Sequence, residues 1–326
     1  MRIAVLGAGA VGARAVRQLS STGDVGSVTV CDTAAGRAEA VVEAMADPRV
    51  RVGEPDGADV AIVALPPGAH RHAAERLLEQ GCSVVSTSDG VDDVRGLLSL
   101  GAEARERGRT VLVGAGFAPG LSCVLAAHAA AAFDEVDEIH VARVGTGGPS
   151  CARQHHRALA GEALDWRDGA WVRRRAGSGR ELCWFPDPVG AEDCYRAAVP
   201  DALLLVPAFP GVQRVTARMG ANRRDRLTAR LPMLRPPHPE GGPGAVRVEV
   251  RGRRGTVRDV TVLGAMDRPA LAAGATAALA ATWVAEGRIP TTGATGLAGA
   301  VEPLPFLAEL ARRGVKAAAF EGAASP

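Results

Sequence analysis

The sequence predicts an α/β protein: a doubly wound parallel sheet, with an inserted α+β unit built on a mixed, largely antiparallel sheet. Three observations carry this. Residues 1–118 alternate short apolar strands with amphipathic helices, the pattern of a sheet covered on both faces. Beyond residue 135 the pattern changes: Val246, Val248 and Val250 alternate with Arg247, Glu249 and Arg251, as in a sheet with one wet face. The chain has 326 residues, room for two such units, and 47% of them are hydrophobic, enough for real cores.

The first element explains the most. Arg2-Ile3-Ala4-Val5-Leu6 reads as a buried strand. It runs into Gly7-Ala8-Gly9-Ala10-Val11-Gly12 and then into a helix over 13–19. Gly7 permits a tight turn, Gly9 lets backbone approach phosphate, and Gly12 lets helix pack on strand. The helix start, at Ala10 and Val11, offers free N–H groups and a positive dipole end to a pyrophosphate. A second strand over 27–31 ends in Asp32, twenty positions after Gly12, placed to accept from a ribose 2′-OH. Strand, glycine loop, helix and acid together predict a Rossmann dinucleotide site. Asp32 suits NAD, because it repels a 2′-phosphate; the nearby Arg37 keeps NADP open.

The remaining elements follow in order. Residues 34–46 read as a helix and 50–52 as a short strand. Residues 60–65 form a buried strand stopped by Pro66-Pro67-Gly68. A helix over 69–80, a strand over 83–86, a helix over 94–107 and a strand over 110–113 complete the sheet. Ligands in such sheets lie beyond the carboxyl ends of strands. Those ends are Gly7, Asp32, Leu65-Pro66-Pro67, Ser86-Thr87-Ser88-Asp89 and Gly114 to Phe117. Residues 119–133 read as a helix leaving the sheet, with Pro119 in its first turn. Strands follow at 138–145, 170–175, 212–220, 245–251 and 256–263, with Gly252-Arg253-Arg254-Gly255 as a hairpin turn and 231–244 as a loop. Helices at 269–286 and 305–313 are expected to return to the first unit. The expected division is 1–134, an NAD(P)-binding domain completed by 267–326, and 135–266, a substrate and dimerisation domain. No internal repeat, and no disordered segment beyond the last few residues, is expected.

Composition excludes several functions. A net charge of +2 argues against a dedicated nucleic-acid binder. No run reaches the ~18 apolar residues of a membrane span. The chain enters a strand at once, so no signal peptide is expected. The six scattered cysteines then read as reduced cytoplasmic thiols. The only lysine is Lys316, which excludes a mid-chain Schiff-base lysine. No metal site is expected: Cys151, His155, Cys183 and Cys194 have the spacing of no closed zinc module.

Gly114-Ala115-Gly116-Phe117-Ala118-Pro119-Gly120-Leu121 is the second informative string. With the opening motif it resembles the saccharopine dehydrogenase family, whose sixth strand runs into a G-x-x-P-G-[LIM] helix start. The inserted sheet and the closing helices fit the same architecture. The resemblance implies an NAD(P)-dependent oxidoreductase working on a carbon–nitrogen bond, with Ala118 and Pro119 at the cofactor. Saccharopine reductases often carry Asp before the Pro-Gly; Ala118 is similar to lysine epsilon-dehydrogenases, which oxidise a free amine with NAD. Lysine-forming fungal members pair a lysine with a histidine, and this chain has no suitable Lys. Pro66-Pro67-x-x-His70 also resembles glucose-fructose oxidoreductase-type enzymes. Those follow the next strand with Glu-Lys-Pro, where this chain has Ser86-Thr87-Ser88-Asp89.

Such chemistry needs a carboxylate clamp and a proton carrier. Arg supplies the first as a bidentate fork and His the second near neutral pH. Cys151-Ala152-Arg153-Gln154-His155-His156-Arg157 offers both: Arg153 or Arg157 for substrate, His155 or His156 for the proton. The competing reading is a polar helix start with solvated charges. Tyr195, the only tyrosine, is a further candidate donor against a core role. Ser86, Thr87 and Asp89 have a claim from position, past the fifth strand. His70 and His72 read as solvated caps at a helix start. The expected function is an NAD- or NADP-dependent oxidoreductase on an amino acid, amine or imine, acting as a homodimer. The alternatives are a non-catalytic nucleotide sensor and a C–O oxidoreductase.

Overall fold

The computed structural model of the protein describes residues 1–233, 236–315 and 317–320. The chain first runs through β1 (Arg2–Leu6), α1 (Ala10–Ser20), β2 (Ser27–Cys31), α2 (Arg37–Met45), β3 (Val50–Val52) and β4 (Val60–Val63). It continues through α3 (His70–Glu79), β5 (Ser83–Ser86), α4 (Val91–Ser99), α5 (Gly101–Glu106), β6 (Thr110–Val113) and α6 (Leu121–Ala130). Next come β7 (Glu135–Val144), α7 (Pro149–Ala158), β8 (Glu162–Arg167), β9 (Ala170–Arg175), β10 (Glu181–Trp184) and β11 (Ala191–Arg196). Then follow α8 (Asp201–Leu205), β12 (Arg214–Gly220), α9 (Arg223–Thr228), β13 (Gly244–Arg254), β14 (Val257–Asp267), α10 (Pro269–Ala285), β15 (Gly293–Gly296), α11 (Leu297–Ala300), α12 (Pro303–Arg312) and β16 (Ala317–Phe320).

The first sheet has seven strands in the order β15-β6-β5-β4-β1-β2-β3, all parallel. β4, β5 and β6 are buried along their whole length, as strands covered on both faces must be. The second sheet is mixed, with the path β10-β11-β12-β7-β13-β14-β16 and β8–β9 branching from β12. Among the described residues, only the β12–β7 pair in it is parallel. α6 is apolar all round and joins the cores of the two sheets into one. α10 is built from small residues because it lies hard against α1: a Cβ on Gly274 would sit 2.6 Å from that of Arg14.

Several boundaries differ from the sequence reading. The helix expected over 94–107 breaks at Leu100 into α4 and α5. Pro119 is not in the first turn of α6. It lies in the preceding loop, where its carbonyl accepts from Gly116 N, and Gly120 is the N-cap. The hairpin turns at Gly255, two residues later than expected, because Gly252 stays in β13 against the Glu135 carbonyl. β8, β10, β11 and β15 are too short or too polar to show a pattern. β15 joins the first sheet, whereas β16 pairs with β14, so the chain's last described strand belongs to the second sheet. Lys316 and the final six residues lie outside the described residues.

Candidate functional site

A cleft of about 890 Å³ runs between the carboxyl ends of the first sheet and the start of α7. The glycine loop forms one end. Gly7 has φ +98°, and a Cβ there would lie 2.4 Å from the Ala64 carbonyl; a Cβ on Gly12 would lie 1.7 Å from the Gly7 carbonyl. Both positions are closed by backbone. A Cβ on Gly9 would meet nothing within 4 Å. Gly9 is also the N-cap of α1, with no side chain capping the helix. The loop is therefore packed shut behind and open in front, with free N–H groups aimed into the opening, which is what a pyrophosphate requires.

Asp32 closes this end differently from the sequence expectation. Its two carboxylate oxygens accept from Ala8 N and Ala34 N, each at 2.8 Å, so it braces the glycine loop as well as facing the cleft. Arg37 Nη1 is 3.6 Å away and half exposed at the rim.

At the far end, Leu65, Pro66, Pro67, Thr87, Ala118 and Pro119 line the wall. Ser86 lies beneath it, fully buried: its hydroxyl bonds His70 Nδ1 at 2.9 Å, and His70 Nε2 bonds the Leu65 carbonyl at 2.8 Å. Nε2 must donate to that carbonyl, so Nδ1 accepts from Ser86. Asp93 accepts from Gly68 N and Ser88 Oγ. This network ties the crests of β4 and β5 together. His70 is thus a buried brace rather than a solvated cap, and burial holds its imidazole below the usual histidine range. His72 is exposed.

The chemical groups converge between these ends. Gly148 caps α7, with φ +113°, and a Cβ there would lie 2.9 Å from that of Ala10, so the starts of α1 and α7 meet over the cleft. One turn into α7, Cys151 and His155 project from one face. His155 Nε2 is 3.7 Å and Cys151 Sγ 4.0 Å from Asp89 Oδ2. Arg143, on β7, reaches the same oxygen at 3.5 Å and also donates to the Ala118 carbonyl. Its Nε is buried and has no partner among the described residues. Asp201 lies nearby in charge terms, holding Ser122 Oγ at 3.0 Å.

Burial dominates the electrostatics. It pushes the Asp89 carboxyl up, opposed by the Arg143 cation. It pushes His155 well below the histidine range, and Arg143 adds to that shift. The Cys151 thiol is pushed up to about 12 by burial and by Asp89. At neutral pH His155 is therefore a neutral imidazole and Cys151 a thiol.

Residues 1–118 match the family model of the GFO/IDH/MocA oxidoreductases, described as an oxidoreductase family with an NAD-binding Rossmann fold. Over 98% of its length the chain superposes on 99% of the saccharopine dehydrogenase (L-Glu forming) of Saccharomyces cerevisiae, with TM-score 0.69 and 16% identity. It covers 92% of the NAD-bound homospermidine synthase of Legionella pneumophila with TM-score 0.69 and 13% identity. It covers 98% of the C. glutamicum DAP dehydrogenase, solved with DAP, with TM-score 0.51 and 16% identity.

The fold is saccharopine dehydrogenase-like. Its first unit is an NAD-binding Rossmann domain of the oxidoreductase kind. The family resemblance read from the glycine strings holds at the level of fold, while the family model for residues 1–118 is the one the Pro66-Pro67-x-x-His70 string resembles.

Of the residues singled out from sequence, the saccharopine dehydrogenase-like fold brings Asp89, His155, Arg153 and Arg157 to the cleft. It takes two others away. His156 is on the opposite side of α7, bonding the carbonyls of Thr228 and Leu231 at 2.9 and 3.0 Å. Tyr195 is buried in β11 under the Arg226 guanidinium, 4.1 Å from its ring centre, and does not line the cleft. Ser86 and Gly12 support the wall from behind. Cys183 and Cys194 sit in a separate apolar cluster with Phe185. Sequence reasoning missed Arg143. Its signal was present: Ile139, Val141 and Arg143 share one inward face of β7, and a cation there needs a reason.

Proposed function

We propose that the protein is an NAD(P)-dependent dehydrogenase or reductase acting on the C–N bond of an amino acid, amine or imine. The observation that carries this is the Asp89–His155–Arg143 constellation, facing the same cleft as the glycine loop. A nicotinamide bound along the cleft would take up the hydride in oxidation and supply it in reduction. Asp32, Gly9 and the start of α1 would hold the nucleotide; Asp32 favours NAD, and Arg37 at the rim leaves NADP open. His155, neutral and next to Asp89, accepts the proton that leaves a substrate nitrogen as it is oxidised, or returns it in reduction. Arg143 in the wall of the cleft and Arg153 and Arg157 at the rim supply guanidinium donors for a substrate carboxylate. A non-catalytic sensor has no use for a buried acid, imidazole and guanidinium at the nicotinamide end. The open second sheet supports a homodimer, and a strict monomer on gel filtration contradicts it.

The test is turnover followed by nicotinamide absorbance over amino acids, saccharopine, diamines and sugars. Amine or imine turnover that falls about 10²–10⁴-fold in His155→Ala, with NADH affinity kept, is the expected outcome. A second reading, oxidation of a C–O bond, is favoured by the family model that residues 1–118 match. Turnover of sugars or hydroxy acids with none of amines would replace the first reading with that one.

A further inference from the structure

Asp89, Cys151 and His155 are a different kind of constellation when their atom types are considered. A carboxylate oxygen, a thiol sulfur and an imidazole nitrogen lie within 4.8 Å of one another. Two come from one face of α7 at i and i+4, and the third from the loop after β5. These are the donor types that soft divalent cations take. With usual zinc bond lengths, a tetrahedral centre has ligand edges of about 3.4 Å for N···O and about 3.6 Å for S···O. The corresponding distances here are 3.7 and 4.0 Å. A shift of a few tenths of an ångström, within reach of side-chain rotation, closes these two edges on an ion, and the third, between the sulfur and the imidazole nitrogen, is no longer than 4.8 Å. All three residues line the cleft, so an ion has a path to them.

We propose that Asp89, Cys151 and His155 form a binding site for one thiophilic divalent cation of the zinc class. Cys151 gives up its proton on binding, because the thiolate is the ligand. With that proton gone, a thiolate and a carboxylate beside the Arg143 cation leave one net negative charge to hold the ion. Arg143, bonded to the Ala118 carbonyl and to Asp89, orients the carboxylate from behind. His155 coordinates through Nε2, the same atom that faces Asp89. The ion therefore occupies the lone pair that the proposed proton transfer uses. On that reading, bound metal inhibits turnover; the binding itself does not depend on it.

The test is titration of tag-free, chelator-treated protein with Co²⁺, followed by displacement with Zn²⁺. The expected result is a thiolate-to-cobalt charge-transfer band that saturates at one ion per chain and is lost on adding Zn²⁺. Cys151→Ser should abolish the band. Asp89→Asn should weaken Zn²⁺ binding at least about 10–100-fold, the range seen even for residues that only orient ligands. NADH binding, read by nicotinamide fluorescence, reports that each variant is folded. Cys183→Ser should keep the band. A band that survives in Cys151→Ser, or disappears in Cys183→Ser, would place the metal elsewhere and overturn the proposal. So would the absence of binding at micromolar metal in the folded parent protein. Absence of amine turnover in the metal-free protein, with the cobalt band appearing on titration, would instead refute only the proposed function.

Discussion

Replacing Gly9 and Gly12 one at a time by Ala separates what the glycine loop does for binding from what it does for folding. At Gly12 the new Cβ would lie 1.7 Å from the Gly7 carbonyl oxygen and 2.9 Å from its carbon. Ordinary contact begins near about 3.4 Å, so α1 must move away from β1, an overpacking strain of about 3 kcal/mol or more. At Gly9 the new methyl meets nothing within 4 Å. The backbone there is extended, φ −76° and ψ −168°, which Ala adopts without strain. Ala restricts the unfolded chain, a gain of about 0.4–1 kcal/mol. As an N-cap it is poorer than Gly by a similar amount. The two offset, so Gly9→Ala should unfold with the parent. Its methyl, however, occupies the space a pyrophosphate needs. Strain of about 1–3 kcal/mol there weakens NADH about 5–150-fold. Thermal unfolding without cofactor and fluorescence titration with NADH read the two effects separately. A Gly9→Ala protein that binds NADH like the parent would refute the placement of the pyrophosphate. A large drop in its melting temperature would refute the open geometry of the loop.

Further outcomes follow from the same reasoning. Asp32→Ala should weaken NADH more than NADPH. It should also destabilise the protein by about 1–3 kcal/mol, because the N–H groups of Ala8 and Ala34 lose their acceptor; equal loss of both nucleotides counts against the ribose contact. Tyr195→Phe should leave turnover unchanged, since that ring packs under Arg226 away from the cleft, and a tenfold fall in kcat contradicts this placement. His155 is held below the histidine range by burial, so between that lowered value and about pH 6.5 the unfolded chain binds a proton the folded one refuses. The stability it contributes is present above about pH 6.5 and is lost as the pH falls through that window. His155→Gln should flatten the acid side of a melting-temperature profile; a profile as steep as the parent's means His155 is charged in the folded protein.

The cofactor cradle was legible because its signals are local. Gly7, Gly9, Gly12 and Asp32 are fixed by the geometry of one strand, one turn and one helix. The polar groups that converge in the cleft were legible only in part. Helical spacing puts Cys151 and His155 on one face and His156 on the other, but nothing in 151–157 says which face meets β5. That depends on the contact between Gly148 and Ala10, made across the two sheets. Arg143 was missed because a single Arg in a strand is ordinarily solvated, and Tyr195 was overvalued because its rarity says nothing about its surroundings. β15 was hidden because Gly293-Ala294-Thr295-Gly296 has no apolar period; it is a strand only because the edge of β6 accepts it.

That edge strand also bears on how the molecule comes into being. β15 is made long after β6, and α10, which presses on α1, is made just before β15. A fragment ending at residue 118 would hold every glycine of the cradle, yet leave the edge of β6 unpaired and the packed side of α1 uncovered. The nucleotide unit is therefore not a transplantable module. On the ribosome it stays unfinished until residue 296 has been added, because the last strand of its sheet is separated in the chain from its neighbour β6 by β7 to β14 and by α10.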